Sequence, residues 1–371
     1  MNKVRIFVHA LEGMPEDLKN YSGKTERDIR VQWLVTDKPG GLVGSGPWRV
    51  KSCSGNTIVL APSGKGIQPQ GLDEVHLPII PNGEELARRL GLKADDPQCV
   101  HFAPIVTDPK SISALRNNPQ VQVIDLPGLS LFYLGFCTDR EPFNNQDLRR
   151  AVVSSIDVNA LAKIGLGTAD PAVGPVPPGM KGYDPKIKQD PYNPKTAKSF
   201  LEKSRYNTQR PLTFVYINQQ SYAKDLAGDV AKQIMGCLGV KVLPNEAPSW
   251  EKLVAAVKAM QGDMFLYSWH QREGRVNDPH DFLAALFYSK NIDKTNLTRY
   301  SNAKVDGLLA SAKPGDPLLE AQQLIVGDAP MAFLSHPKRI SALNKGARKV
   351  VVLHDGLPQD KLIGAEIVID I

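Results

Sequence analysis

The fold is decided by residues 212–279, LTFVYINQQSYAKDLAGDVAKQIMGCLGVKVLPNEAPSWEKLVAAVKAMQGDMFLYSWHQREGRVNDP. Runs of β-branched and aromatic residues alternate here with longer stretches that repeat apolar residues three and four positions apart. The predicted elements are a strand at 212–218, a helix at 221–238, a strand at 240–243, a helix at 249–260 and a strand at 264–269. This order of strands and helices predicts a parallel sheet.

Local signals support both predicted helices. The first helix repeats apolar residues that would face a core, namely Leu226, Ala227, Val230, Ala231, Ile234, Met235 and Leu238. Gly239 follows and supplies the left-handed conformation that favours a helix end. Ser249 is a good N-cap for the second helix, because its hydroxyl can accept a hydrogen bond from a free backbone N–H of the first turn.

Polar and aromatic side chains stand at the carboxyl ends of two of these strands. In parallel sheets, ligands bind outside the carboxyl ends of the strands. The candidate binding residues are Tyr216, Asn218 and Gln219 after the first strand, and Tyr267, Ser268, Trp269, Arg272 and Glu273 after the last. We therefore predict that these two loops form one wall of a ligand-binding site.

Among the residues of these loops, Trp269, Arg272 and Glu273 have the side chains best suited to bind a ligand. The indole of Trp269 offers a flat apolar face and one hydrogen-bond donor, although a Trp at a strand end is also an ordinary core residue. If they face a cleft, Arg272 would bind a carboxylate or other anion and Glu273 would bind an amine. The alternative is that the two side chains pair with each other in solvent.

The composition is that of a globular protein with room for two domains. The chain has 371 residues, of which 42% are hydrophobic and 23% are charged. Its formal charge of +6 is spread without a run of five basic residues, so a nucleic-acid partner is not expected. The sequence has no stretch of about 18 apolar residues, which predicts that no segment spans a membrane.

Compartment and disulfide pairing stay open at this stage. The first residues lack the apolar core and cleavage site of a signal peptide, so the protein is cytoplasmic or its leader lies outside this chain. Cys53, Cys99, Cys137 and Cys237 are scattered, with no C-x-x-C pair. Neither a disulfide framework nor a zinc site is predicted, and the sequence does not choose among the three pairings.

The sequence shows no constellation of catalytic or metal-binding residues. An enzyme would need a nucleophile with a base, paired carboxylates or a set of metal ligands. The seven histidines have no i, i+4 spacing, and no G-x-S-x-G or H-E-x-x-H motif occurs. We therefore predict no enzyme activity, no cofactor and no metal.

A glycine-rich segment at residues 40–50 contains Gly44, Gly46, Pro47 and Trp48. Such a segment could suggest a phosphate-binding loop, which must lead into a helix. Here Pro47 and the β-type residues after it lead into a strand. The segment is therefore predicted to be a turn.

The other elements are predicted from turn residues, caps and apolar periodicity. Predicted strands include 57–60, 75–80, 121–124, 129–136, 331–334 and 349–353, and predicted helices include 84–92, 282–287, 306–312 and 318–326. Asn145 and Asp157 are predicted N-caps, and Asp278 before Pro279 is interpreted as a helix start. Seven prolines between residues 170 and 194 predict an ordered surface loop or a linker without regular structure.

The order of motifs resembles the bacterial extracellular solute-binding proteins of family 5, the peptide- and nickel-type receptors of ABC importers. The matching pieces are Gly44-Ser45-Gly46-Pro47-Trp48, Pro142-Phe143-Asn144, Leu148-Arg149-Arg150-Ala151, Ser155-Ile156-Asp157, Tyr192-Asn193-Pro194, Leu238-Gly239-Val240, Ser268-Trp269 with Asp278-Pro279, Tyr300-Ser301-Asn302 and Asp328-Ala329-Pro330. Each motif is weak alone, and their common order carries the resemblance.

The resemblance implies an α/β fold of the two-lobed periplasmic-binding-protein type (type II, cluster C), with mixed sheets flanked by helices and a truncated first lobe. Residues 1–126 with 341–371 would form lobe I, and 127–340 lobe II. The implied function is to bind a small organic solute, peptide-like or otherwise polar, between the lobes and to deliver it to an ABC permease in the membrane. The implied location is periplasmic or extracellular.

The chain also departs from the family. Peptide binders place an Asp three residues after the Trp, where this chain has Arg272. We therefore expect that the ligand is not an ordinary free peptide, or that Glu273 anchors its amine. Cys137 stands where Asn is usual, and the family's first segment has no counterpart.

Two further expectations follow from that missing segment. A shortened first lobe would expose apolar surface, which predicts a covering partner or a homodimer. The alternative function is a ligand-sensing domain of a regulatory protein of the same ancestry, with its DNA-binding or signalling module outside this chain.

Overall fold

The computed structural model describes residues 3–5, 48–54, 56–62, 64, 73–126, 128–164, 168–217, 223–259, 261–270 and 278–347. The chain forms two compact units, Met1–Leu126 with Arg339–Ile371, and Pro127–Lys338. The assignment of lobes from the resemblance, with its second boundary at residue 340, stays a prediction.

The elements are named in chain order. The strands are β1 (Lys3–Arg5), β2 (Trp48–Ser54), β3 (Thr57–Pro62), β4 (Glu74–Pro78), β5 (Phe102–Ala103), β6 (Val121–Leu126), β7 (Ser130–Phe136), β8 (Ala169–Pro171), β9 (Leu212–Ile217), β10 (Val242–Ala247), β11 (Met264–His270), β12 (Met331–Pro337) and β13 (Arg339–Asn344). The helices are α1 (Gly83–Leu90), α2 (Pro109–Arg116), α3 (Gln146–Ser154), α4 (Val158–Ile164), α5 (Pro194–Ser204), α6 (Ala223–Leu238), α7 (Trp250–Lys258), α8 (Pro279–Phe287), α9 (Ala303–Ser311) and α10 (Leu319–Asp328), with a 3₁₀ turn at Ser289–Asn291.

The larger unit is built on a six-stranded sheet with the strand order β10-β9-β11-β7-β12-β8. Strand β9 pairs in parallel with β10 and with β11, which confirms the parallel arrangement predicted for these three strands. Strand β7 runs antiparallel to its neighbours β11 and β12, so the sheet is mixed.

The two faces of this sheet are covered by different apolar clusters. One cluster packs Phe136, Phe214 and Leu266 of the strands against α3, α5 and α6. The other packs Tyr133 and Phe265 against residues of α7, α8 and α9. Successive residues of a strand point to opposite faces, which divides neighbouring residues such as Phe265 and Leu266 between the two clusters.

Predicted helix caps are confirmed at four helices. Asn145 accepts the N–H of Leu148, and Ser249 accepts that of Lys252. At the other two helices, Asp157 Oδ1 accepts the N–H groups of Asn159 and Ala160, and Asp278 Oδ1 accepts that of His280. These side chains satisfy donors that the first turn of a helix leaves free.

The predicted secondary structure needs correction at two strands. Strand β10 runs from Val242 to Ala247 and not over 240–243, because it follows β9 in register along its whole length. It lies at the edge of the sheet, where Pro244 is tolerated since one side of the strand needs no N–H donor. Strand β13, which pairs with β6, was not predicted, and the predicted strand 349–353 lies outside the described residues.

The proline-rich segment is not a linker and is not wholly irregular. Its start forms β8, which pairs with β12. Farther on, the Gln189 amide bonds both backbone groups of Phe333, with Nε2 donating to the carbonyl at 2.6 Å and Oε1 accepting the N–H at 2.9 Å. Ala172, Val176 and Met180 are buried. The segment is thus anchored to the body of the larger unit.

The smaller unit contains a four-stranded sheet, β1-β4-β3-β2, and a three-stranded sheet, β5-β13-β6. Helices α1 and α2 supply Leu90, Ile112 and Leu115 to its core, where Ile340 and Ala342 of β13 are also buried. The N-cap of α1 is Asn82 and that of α2 is Asp108.

Candidate functional site

Strand β11 ends in residues whose side chains point to alternate faces of the sheet. Tyr267 and Trp269 are half-buried and pack against the same cluster as Phe265. Ser268 lies between them in sequence and therefore faces the other side, where its hydroxyl lies 3.3 Å from His270 Nε2. The carboxyl end of β11 thus presents aromatic groups on one face and polar groups on the other.

The aromatic face is completed by Trp250, the first residue of α7. Its ring stacks on that of Tyr267, with centroids 4.2 Å apart and an angle of 24° between the ring planes. We call Trp250, Tyr267 and Trp269 the aromatic patch. All three side chains are half-buried, so each combines a packed ring with an exposed part. Such rings offer flat apolar contact area, and the indoles and the phenol add hydrogen-bond donors.

Tyr216 lies on the opposite face from the aromatic patch. Its register partner on β11 is Leu266, and paired residues of neighbouring strands share a face. The side chain is buried and its hydroxyl donates to Glu246 Oε2 on the edge strand at 3.2 Å. Burial and the Glu246 carboxylate raise the pKa of Tyr216, so the phenol stays protonated. Of the described candidate residues, Tyr216 and Ser268 therefore lie on one face of the sheet, and Tyr267 and Trp269 lie on the other.

Several predicted site residues fall outside the described part of the chain. They are Asn218, Gln219, Arg272 and Glu273 in the two loops, and Gly44, Gly46 and Pro47 in the predicted turn. Trp48 is the first residue of β2 and pairs through its backbone with Pro62. The binding and turn roles of all these residues stay predictions.

Trp250 is not among the binding residues predicted from the sequence. A signal was present, because the predicted N-cap Ser249 puts Trp250 at the start of a helix that follows a parallel strand. The start of such a helix lies at the carboxyl edge of the sheet, beside the end of the neighbouring strand. Glu246, the partner of Tyr216, was also missed, because the predicted strand stopped at residue 243.

Within the described residues, no cluster of His, Cys, Asp and Glu side chains has the arrangement of a metal site. Among those same residues, no helix combines the length and apolarity needed to span a bilayer. Asn296, the first residue of an Asn-Leu-Thr glycosylation motif, has a structural role, because its side chain is fully buried and donates to the carbonyls of Tyr288 and Tyr300.

The sequence matches a family model. The model described as bacterial extracellular solute-binding proteins, family 5 middle, matches residues 10–294. Di/tripeptide-binding protein 2 of Pseudomonas aeruginosa is 29% identical over 249 residues, which are 64% of this chain and 46% of that protein. The glutathione-binding protein GsiB of Salmonella typhimurium is 25% identical over 84% of this chain and 62% of its own length. The chain therefore spans about half to two thirds of these relatives.

Solved structures show the same fold. The periplasmic binding protein DppA of Helicobacter pylori, in complex with the peptide STSA, has a TM-score of 0.66 and 23% identity over 83% of this chain and 60% of its own. The oligopeptide-binding protein AppA of Bacillus subtilis, in complex with a nonapeptide, also has a TM-score of 0.66, with 21% identity over 91% of this chain and 68% of its own. These likenesses confirm the predicted α/β fold class of two-lobed periplasmic binding proteins.

Proposed function

Because the chain belongs to the bacterial extracellular solute-binding proteins of family 5, we propose that it binds a small organic solute for delivery to an ABC permease. The ligand is peptide-like or another polar molecule, a class suggested by the names of its relatives. The place of action is the periplasm or the cell exterior. The relatives are named as binding proteins, which favours binding without catalysis and gives the regulatory alternative no support.

The observation that carries this proposal is the aromatic patch at the carboxyl end of β11. Trp250 and Tyr267 form a stack, and Trp269, which precedes Arg272 by three residues in the sequence, packs against the same core. Rings fixed in this way bind apolar parts of a ligand at low entropic cost. Ionic groups in the loop would then orient the ends of the ligand.

The two charged residues of the loop lead to different predictions about the ligand. If Glu273 anchors an amine, the chain binds peptides with a free amino terminus, and Glu273→Gln weakens binding by about thirtyfold. If Arg272 dominates instead, ligands with a free carboxylate bind and those with only an amine do not. Asn218 and Gln219 are proposed to supply the remaining polar contacts, whereas the predicted binding residues Tyr216 and Ser268 face the other side of the sheet.

Calorimetry with dipeptides, oligopeptides, N-acetylated peptides and C-amidated peptides tests this proposal. Each ligand is titrated into the wild type and into Glu273→Gln and Arg272→Gln. Loss of binding on acetylation together with loss in Glu273→Gln supports amine anchoring. Binding of no member of the panel, or tight binding that neither substitution changes, contradicts the proposed ligand class.

A further inference from the structure

A concave surface lies on the helices of the larger unit, between α4, α5 and α6. It is a cleft of about 390 Å³, which falls within the size range of small-ligand sites. Its lining includes Asp157, Tyr192, Lys198, Lys232, Gln233 and Gly236. We call this surface the helix cleft.

The helix cleft is separate from the carboxyl edge of the sheet. Helix α6 begins at Ala223, just after the carboxyl end of β9, and it runs back toward the other edge of the sheet. Lys232 and Gly236 lie about 14 and about 20 Å farther along its axis, at a rise of about 1.5 Å per residue. A ligand in the helix cleft therefore occupies a different site from one on the aromatic patch.

Two lysines from different helices give the cleft its positive charge. Lys198 stands on α5 and Lys232 on α6, both exposed, and in the described part of the chain neither forms an ion pair. Gln233 Oε1 accepts the N–H of Asp157 at 2.6 Å, which leaves the two N–H groups of its amide nitrogen for another acceptor. The cleft thus has cationic and neutral donors that no described residue uses.

The Asp157 carboxylate, which lines the cleft, already accepts hydrogen bonds from the start of α4. Asp157 Oδ1 accepts the N–H groups of Asn159 and Ala160 at the start of α4, where the partial positive charge of the helix end partly compensates its negative charge. The first free N–H groups of α5 are likewise capped by Asn193. Anion binding in the cleft therefore depends on the lysine and glutamine side chains and not on free backbone donors.

Gly236 keeps the cleft open. It lies inside α6, where a glycine costs about 1 kcal/mol relative to alanine. A Cβ added at Gly236 would meet no protein atom within 4 Å, so packing within the described chain does not require glycine there. The missing side chain does widen the cleft, next to the exposed ring of Tyr192.

We propose that the helix cleft binds a short dicarboxylate. One carboxylate contacts Lys198 and the other Lys232, the Gln233 amide donates to one of them, and the carbon chain lies against Tyr192 and Gly236. The two cations stand on different helices, and a ligand with an anionic group at each end can pair with both of them. This proposal is independent of the solute site on the aromatic patch.

Ligand-observed NMR titration of the full chain with succinate, and with butyrate as the monoanion of equal length, tests the proposal. Succinate should bind about tenfold more tightly than butyrate. Lys198→Gln and Lys232→Gln should each weaken succinate binding by about threefold to fivefold, and the double variant by about tenfold or more. Lys195→Gln on α5 and Lys224→Gln on α6 are matched controls outside the cleft and should change nothing.

The role of the cleft's shape is tested by glycine substitutions that leave its charge unchanged. Gly236→Ala should stabilise the fold and Gly236→Val should weaken succinate binding by about tenfold, whereas Gly228→Ala and Gly228→Val, on the same helix but outside the cleft, should leave binding unchanged. Trp269→Ala should bind succinate like the wild type. Equal binding of succinate and butyrate, losses shared by the control variants, or full affinity in Gly236→Val would overturn the proposal.

Discussion

His336 on β12 is an imidazole that its surroundings hold in the neutral form. The residue is 2% exposed, and its Nδ1 lies 3.0 Å from the carbonyl oxygen of Ser130, so Nδ1 carries the proton and donates. Its Nε2 is buried without a hydrogen-bond partner. Burial lowers the pKa of His336 from 6.5 to about 4. The unfolded chain therefore binds this proton more readily than the folded chain.

The free energy of unfolding should consequently decrease as the pH is lowered from about 6.5 to about 4. The contribution of neutral His336 is complete above about pH 6.5 and is lost as the pH falls toward about 4, with about 2 kcal/mol lost at pH 5. Urea unfolding at pH 7 and pH 5 measures this loss. In His336→Gln, which keeps an N–H donor but does not titrate, the difference between the two pH values should shrink by about that amount. An equal pH dependence in both proteins would contradict the assignment.

Single residues show what sequence reasoning can reach at a binding site. Trp269 was identified because it follows a strand and precedes charged residues, both of which are local in the sequence. The opposite orientation of Tyr216 was not foreseen, since it depends on the register that pairs Tyr216 with Leu266. The stack of Trp250 on Tyr267 was missed for the same reason, because it depends on how α7 packs across β11.

Arg149 on α3 holds the carboxyl end of α10. Its guanidinium donates to the carbonyl of Phe143 at 2.7 Å, to that of Asp328 at 2.8 and 3.1 Å, and to that of Ala329 at 3.1 Å. The last carbonyls of a helix have no partner within the helix and carry partial negative charge. Burial lowers the pKa of Arg149, but an arginine starts so high that it stays charged. The side chain therefore ties two helices together.

Removal of this contact should destabilise the fold strongly. Arg149→Met leaves buried carbonyl oxygens without donors, which should cost about 3 kcal/mol of unfolding free energy. The neighbouring Arg150 is the matched control, because it pairs with the partly exposed carboxylate of Asp190. Arg150→Met should cost about 1 kcal/mol or less. Urea unfolding of both variants measures the difference, and equal losses would show that Arg149 has no special role.

A packing constraint on strand β7 gives a second test at the scale of the elements. A Cβ at Gly135 would lie 2.3 Å from the Phe265 ring on β11. Gly135→Ala should therefore destabilise the fold by about 2 kcal/mol, because strand and ring must separate. Phe265→Leu should recover part of this loss in the double variant. Thermal unfolding of the two single variants and the double variant measures the coupling, and simple additivity of the two effects would contradict the close contact.

The elements predicted correctly from the sequence are those whose signals lie within their own residues. The helices α6 and α7 have caps and apolar stripes within their own residues, and the strand–helix alternation around them predicts parallel pairing. Strands β8 and β13 were missed because their pairing partners are far away in sequence, for example Leu126 for Arg339. Their own residues include polar and charged ones that give no clear strand pattern, so only the folded partner defines them.

For the whole molecule, fold and function rest on different findings. The solved structures share the fold at TM-scores of 0.66 but at identities below 25%, so they support the architecture alone. The family match over residues 10–294 supports the proposed binding of a solute. The chain spans 46% of the length of one relative and 62% of that of another. The homodimer expected from the sequence stays a prediction.

The central claim is that a solute binds at the carboxyl edge of β11 on the aromatic patch. Its most direct test is calorimetric titration of the best ligand from the peptide panel into the wild type, Trp269→Phe and Trp269→Ala. We predict that Trp269→Phe, which keeps a flat ring, loses less than about tenfold in affinity, and that Trp269→Ala loses about thirtyfold or more while the protein stays folded. Equal affinity of the wild type and Trp269→Ala would contradict the account.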